Sequence, residues 1–102
     1  MINQLFLIGQ IKEMPDEKDN DFVLEVRRGY KNSDGVFEKD NFRCKLWIAI
    51  SKRINMMCKE GDLVAVKGRV VDDNGNCLIL AEQVMLLNKM SMNVNELEKN
   101  QI

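Results

Sequence analysis

Histidine is absent from this chain, proline occurs once, at Pro15, and the cysteines number three. Without histidine the commonest general base and metal ligand is missing. Cys44, Cys58 and Cys77 are odd in number and widely spaced, with no Cys-x-x-Cys pair. That supply suits neither a zinc site nor a disulfide framework, so no metal and no cofactor is expected. Two of the thiols sit inside apolar runs, where a free cysteine behaves as a small core residue. They read as reduced, in a cytoplasmic compartment. No apolar run approaches the roughly eighteen residues of a membrane span. The start, Met1-Ile2-Asn3-Gln4, lacks the charged opening and small-residue cleavage site of a signal peptide. Charge of one sign is also missing. With 15 Lys and Arg against 16 Asp and Glu the net charge is −1, which excludes coating of polyanions through bulk charge.

Catalytic patterns are equally scarce. No serine or cysteine has an activating partner at a recognisable spacing, no glycine-rich phosphate loop occurs, and the paired Asp72-Asp73 reads as turn chemistry. The expectation is a protein that is not an enzyme.

What is present is alternation. Leu5-Phe6-Leu7-Ile8, closed by Gly9, is a continuous apolar run of strand length and suits a first strand buried on both sides. A polar connection follows, holding Pro15 and the charge cluster Asp16 to Asp21. Phe22, Leu24 and Val26 then alternate with Val23, Glu25 and Arg27 in a second strand. Turn chemistry in Lys31-Asn32-Ser33-Asp34-Gly35 folds the chain back into a third. Ser51 is placed to cap a short helix through Lys59, with Ile54, Met57 and Cys58 on one face and Gly61 to end it. Leu63 to Val70 is a fourth strand. Asp72-Asp73-Asn74-Gly75-Asn76 supplies a tight hairpin, and Cys77 to Leu87 a fifth strand.

Five strands with one short helix between strands 3 and 4 is the element order of the OB-fold, a small all-β barrel. A five-stranded SH3-like barrel is the alternative, and the helix counts against it. One domain, residues 1–90, is expected, followed by a short polar tail over 91–102 that is either a brief helix capped by Asn93 and Glu96 or disordered. The seven methionines, Met56, Met57, Met85, Met90 and Met92 among them, fill core or an inter-subunit seam more readily than they hold a cofactor. Val84-Met85-Leu86-Leu87 is the seam candidate.

The third strand carries the functional signal. Phe42, Cys44, Leu46 and Ile48 hold one parity, and Asn41, Arg43, Lys45 and Trp47 the other. If the first set faces the core, the single tryptophan projects outward beside two cations, as base stacking requires. Tryptophan inside a barrel is the competing reading. Phe37 is read as closing the loop in preference to adding a platform. Arg27, Arg28, Lys31, Lys67 and Arg69 cluster on strands 2 to 4 while acids gather at Asp16 to Asp21 and Asp72-Asp73, so the signs are expected to separate.

These residues resemble a known family. The opening Met1 to Gly9, the segment Phe22 to Asn32 with Gly35, the stretch Asp40 to Trp47, and Glu60 to Arg69 are similar, in order, to bacterial single-stranded DNA-binding proteins. Leu80-Ala81-Glu82-Gln83-Val84 and the compact size also resemble the primosomal replication protein B family. The resemblance implies an OB-fold that binds single-stranded DNA in replication, recombination or transfer. It implies base stacking by Tyr30 and Trp47, with Arg28 beside them. Arg28, Lys31, Arg43, Lys45, Lys67 and Arg69 would steer and neutralise the backbone. It also implies a homo-oligomer, dimer or tetramer, and replication or DNA-transfer proteins as partners. The chain departs from the family at a tight strand 4 to 5 turn, at Asn41 where an aromatic is common, and at a C-terminus without the recruiting acidic tip. A protein-interaction module with weak or no DNA binding is the rival.

Overall fold

Alternation translates into pairing most directly in the central hairpin. In a computed structural model, which describes residues 1–88, β2 (Asp21–Lys31) and β3 (Phe37–Lys45) run antiparallel from Asp21↔Lys45 to Lys31↔Phe37. Phe22, Leu24 and Cys44 are buried on the inner face, while Arg43 and Lys45 remain outside. The hairpin turns where Asn32 Oδ1 accepts the backbone N–H groups of Asp34 and Val36, at 2.9 and 3.0 Å. That is the Asx geometry expected of the turn sequence.

The other strands close the sheet. β1 (Leu5–Glu13) pairs with β2 on one side and β4 (Leu63–Asp73) on the other. β4 pairs with β5 (Asn76–Leu86) over ten positions, and β5 meets β3 in parallel at Cys44↔Ile79 and Lys45↔Leu80. The order β1-β2-β3-β5-β4 is a closed barrel. With α1 (Ile48–Met57) inserted between β3 and β4, it is the five-stranded OB-fold. Ile11, Phe22, Leu24, Cys44, Leu46, Ile54, Val64, Val66, Ile79 and Ala81 fill its interior. Burial pushes the Cys44 thiol up to about 12, which keeps it an inert core group.

Three local expectations are corrected. β1 is not buried on both sides, since Phe6 is 71% and Ile8 59% exposed. A run of apolar residues signals burial only if a second layer covers the outer face, and this single-layer barrel provides none within one chain. The helix begins at Ile48, three residues before the anticipated cap, so Ser51 lies within it, buried, and its N–H donates to Trp47 O at 2.9 Å. Ile48, counted with the core parity, is consequently exposed. The β4–β5 connection is tight at its tip, with Asn74 and Gly75 both at positive φ (51° and 88°). The ribbon it closes is nonetheless long, and its last pairs, Val71↔Leu78 to Asp73↔Asn76, project past the pairing with β1 and β3.

The tail over 91–102, its Asn93 and Glu96 capping pair, and Met90 and Met92 lie outside the described residues. The last described residue, Asn88, is held by its side chain. Its Oδ1 accepts from Leu63 N at 2.9 Å, and its Nδ2 donates to Asp62 Oδ1 at 3.2 Å.

Candidate nucleic-acid interface

Side chains on one face of a strand recur every second residue, and the outer face of β3 reads Phe37, Lys39, Asn41, Arg43, Lys45 and then Trp47 just past the strand end. Cross-strand, Lys39 faces Arg27, Asn41 faces Glu25, Arg43 faces Val23, and Lys45 faces Asp21. Trp47 is 61% exposed. It is not a strand residue. It is the N-cap of α1, with extended backbone at φ −71° and ψ 151° and no side-chain capping bond. Leu46 beside it is buried, so the alternation persists through the strand-to-helix junction and keeps the indole outward.

At the other end of the ribbon β2 bulges. Register passes from Arg27↔Lys39 to Lys31↔Phe37, leaving Arg28, Gly29 and Tyr30 to be accommodated opposite one residue of β3. Tyr30 is 66% exposed near that tip. Phe37 and Lys45 are eight residues apart on one face, about 27 Å at ordinary strand rise. Tyr30 and Trp47 therefore mark opposite ends of a track.

The cations divide sharply by chemistry. The three arginines expected to contact DNA, Arg28, Arg43 and Arg69, are all paired. Arg28, on the inner-face parity, forms a bidentate bridge to Asp40, with Nε and Nη2 at 3.0 and 2.9 Å from its carboxylate oxygens, and Nη1 also bonds Glu38. The Asp40 hydrogen bond raises the Arg28 pKa still further above its ordinary value, and Arg28 in turn lowers that of Asp40. Arg43 Nη1 lies 3.2 Å from Asp21, which raises its pKa. Arg69 Nη2 lies 3.7 Å from Glu82. The lysines differ. Lys45 has no ion-pair partner among the described residues, and Lys31 and Lys67 rest over the rings of Phe37 and Phe6, at 5.6 and 6.0 Å from their centroids.

Sign separation is thus incomplete, because acids are interleaved with the bases. Asp21 ends the acidic loop close to Lys45 and Trp47, where Leu46 N donates to Asn20 O at 2.8 Å. Lys67 and Arg69 belong to β4, which neighbours β1 and β5 and touches neither β2 nor β3 in the sheet order. They stand apart from the ribbon. Conversely, Arg27, read only as part of the basic cluster, Phe37, read as closing the loop, and Lys39, not singled out at all, join the outer face. The parity that picked out Arg43 and Lys45 runs back through Asn41 to Lys39 and Phe37, so the signal was available.

Comparison with known proteins gives a consistent picture. No protein-family model matches the chain. Single-stranded DNA-binding protein 1 of Streptococcus pyogenes serotype M18 is 31% identical over 81 residues, covering 72% of this chain and 62% of the relative. Single-stranded DNA-binding protein 1 of Lactococcus lactis is 28% identical over 81 residues, covering 72% of this chain and 54% of the relative. Single-stranded DNA-binding protein 2 of Listeria monocytogenes is 27% identical over 116 residues, covering 98% and 72%. The chain therefore spans little more than half the length of the first two. Among solved structures, a small single-stranded DNA-binding protein from Streptomyces coelicolor superposes with a TM-score of 0.63 at 16% identity, covering 87% of this chain and 97% of that one. The mitochondrial single-stranded DNA-binding protein of S. cerevisiae superposes with 0.64 at 13% identity, covering 85% and 96%. At such identities the superpositions establish the fold.

Proposed function

We propose that this chain, an OB-fold protein similar to bacterial single-stranded DNA-binding proteins, binds single-stranded DNA with little sequence preference, without performing a reaction. The observation that carries this reading is the exposed indole of Trp47 at the end of an outward row that reaches it through Arg43 and Lys45. A base stacked on the indole is recognised by its π-face, which every base possesses, so sequence hardly matters. The unpaired Lys45 and the ring-seated Lys31 meet phosphates directly, whereas Arg43 must exchange Asp21 for a phosphate. Arg28, locked to Asp40 and Glu38, braces the ribbon beneath Tyr30. In this reading the protein works on DNA in the cytoplasm, shielding or holding open strands during replication, recombination or transfer.

Titrating the chain with a thymine homopolymer tests this, because Trp47 is its only tryptophan. Emission is expected to fall on binding. Affinity is expected to decline with salt, with log K changing by about −0.7 per log unit of salt for each phosphate neutralised. Unchanged emission together with no gel shift at low salt would remove the proposal. It would favour the protein-interaction module, to which the paired arginines lend support.

Self-association is the second part of the proposal. On the outer face of β1, β4 and β5, Ile8 lies beside Ala65 and Ala65 beside Met85, with Leu63 adjoining and Phe6 paired with Lys67, whose ammonium rests over its ring. Phe6, Ile8, Leu63 and Met85 are exposed, and an apolar cluster of this kind, edged by Gln10 and Lys67, favours a protein interface. A second copy is the occupant we assign. Within the seam candidate, Val84 and Leu86 pack against the core, leaving Met85 to face outward. Phe6→Asp combined with Ile8→Lys is expected to convert an oligomer into an 11.8 kDa monomer in sedimentation. A wild-type chain already sedimenting at that mass overturns the assignment.

A further inference from the structure

The bulged end of the ribbon carries a cluster that ordinary solvated charge does not explain. Arg27 and Lys39 stand directly opposite each other in the β2–β3 register, and like charges directly opposite destabilise a strand pair. Lys31 joins them: Arg27 Cζ lies 4.7 Å and Lys31 Nζ 5.6 Å from the centroid of Phe37. Among the described residues, one carboxylate answers these three cations on that face. Glu25 is 3.2 Å from Lys39, and it is shared with Lys12 at 3.9 Å. The nearby acids Glu38 and Asp40 are committed to Arg28 on the other parity.

We propose that this cluster is a second nucleotide subsite, distinct from the Trp47 end and resting on the single-stranded DNA reading. Its phosphate sits between Arg27 and Lys39, relieving their repulsion. Its base stacks on the layer formed by Phe37 and the Arg27 guanidinium, a planar cation suited to stacking against a π-face. Lys31 neutralises the following phosphate. Because this subsite and Trp47 lie about 27 Å or more apart along the strand, one DNA strand must bridge them to occupy both. The strand would run along Lys39, Arg43 and Lys45, and its length would fall within the roughly 4–16 nucleotides typical of OB-folds.

The two ends are separable by experiment. Thymine oligonucleotides of increasing length are titrated against the wild-type chain, the double variant Arg27→Gln with Lys39→Gln, and Phe37→Leu, following Trp47 emission and a labelled oligonucleotide. Both residues of the double variant are exposed, so it is expected to fold even where Phe37→Leu, at a half-buried position, does not. Short oligonucleotides should quench Trp47 equally in all folded proteins. Affinity for oligonucleotides long enough to reach both ends should fall about tenfold in the variants, as expected for losing one stacked nucleotide. Unchanged long-oligonucleotide affinity in the double variant overturns the subsite, as does an equal loss for short and long. Absence of quenching by any oligonucleotide in the wild-type chain is a different result. It fails the DNA reading itself, and the subsite falls with it.

Discussion

Trp47→Ala is expected to weaken binding of single-stranded DNA by roughly ten- to a hundredfold, the range set by the free energy of one base stacked on an aromatic. The same substitution is expected to leave the barrel intact. The indole is largely exposed, its residue caps α1 without a side-chain hydrogen bond, and the adjoining core position is filled by Leu46. Truncation therefore opens no cavity, and stability should change by no more than about 0.5 kcal/mol. Fluorescence anisotropy of a labelled oligonucleotide, read beside a thermal melt, separates the two effects. Trp47→Phe should recover part of the affinity, because a smaller ring still offers a stacking face. Full affinity in a folded Trp47→Ala protein would show that the exposed ring has another purpose and would shift weight to the protein-interaction reading.

Gly68→Ala should produce a large loss of stability in the barrel wall. Gly68 lies where the β4–β5 register shifts, and an added Cβ would stand 2.1 Å from the carbonyl oxygen of Leu80 and 3.2 Å from Ala81 Cα. Both obstacles are backbone atoms of the partner strand, so relief requires parting β4 from β5 beside the core residues Val66 and Ala81. A penalty of about 3 kcal/mol is expected, at the upper end for overpacking. For a domain of this size that corresponds to a fall in Tm of roughly 15 °C. Gly29→Ala is the internal control, since a Cβ there meets nothing within 4 Å. An unaltered melt for Gly68→Ala would mean that β4 and β5 do not meet in this register.

Much of the barrel was legible residue by residue. Phe22, Leu24 and Cys44 declared the inner face of the central hairpin, and Asn74-Gly75 declared the turn between the last two strands. The helix was legible in existence and not in extent. Ser51 is a favourable cap type, but the chain enters α1 as soon as β3 ends, and a buried serine inside the helix looks the same in sequence as one at its start. Phe6 and Ile8 misled because apolar character records affinity for burial without saying what supplies it. An unfilled partner surface and a second core layer leave the same trace.

The candidate interface shows the same division more clearly. Arg28, Arg43 and Arg69 read as cations available to phosphate, and each is met by a carboxylate from another strand or from further along the chain: Asp40 with Glu38, Asp21, and Glu82. Glu38 and Asp40 are 10 and 12 residues from Arg28 in sequence, and Asp21 is 22 from Arg43. No local pattern reports such pairs. The pairing of Arg27, read only as one of a basic cluster, with Lys39 was missed for the complementary reason, because their mutual repulsion exists only once register sets them opposite each other.

By itself, the order of residues determined the element types and the parity of β3, since two-residue periodicity is a property of the strand alone; that Trp47, past the strand end, also points outward was decided by the strand-to-helix junction. Only the closed barrel decided which cations stay free, which face of β1 is left bare, and that Lys67 and Arg69 belong to a different wall from the β2–β3 ribbon. Those outcomes depend on which strands become neighbours and in what register. Neighbourhood and register arise from packing distant segments around one core, and no single segment carries that information.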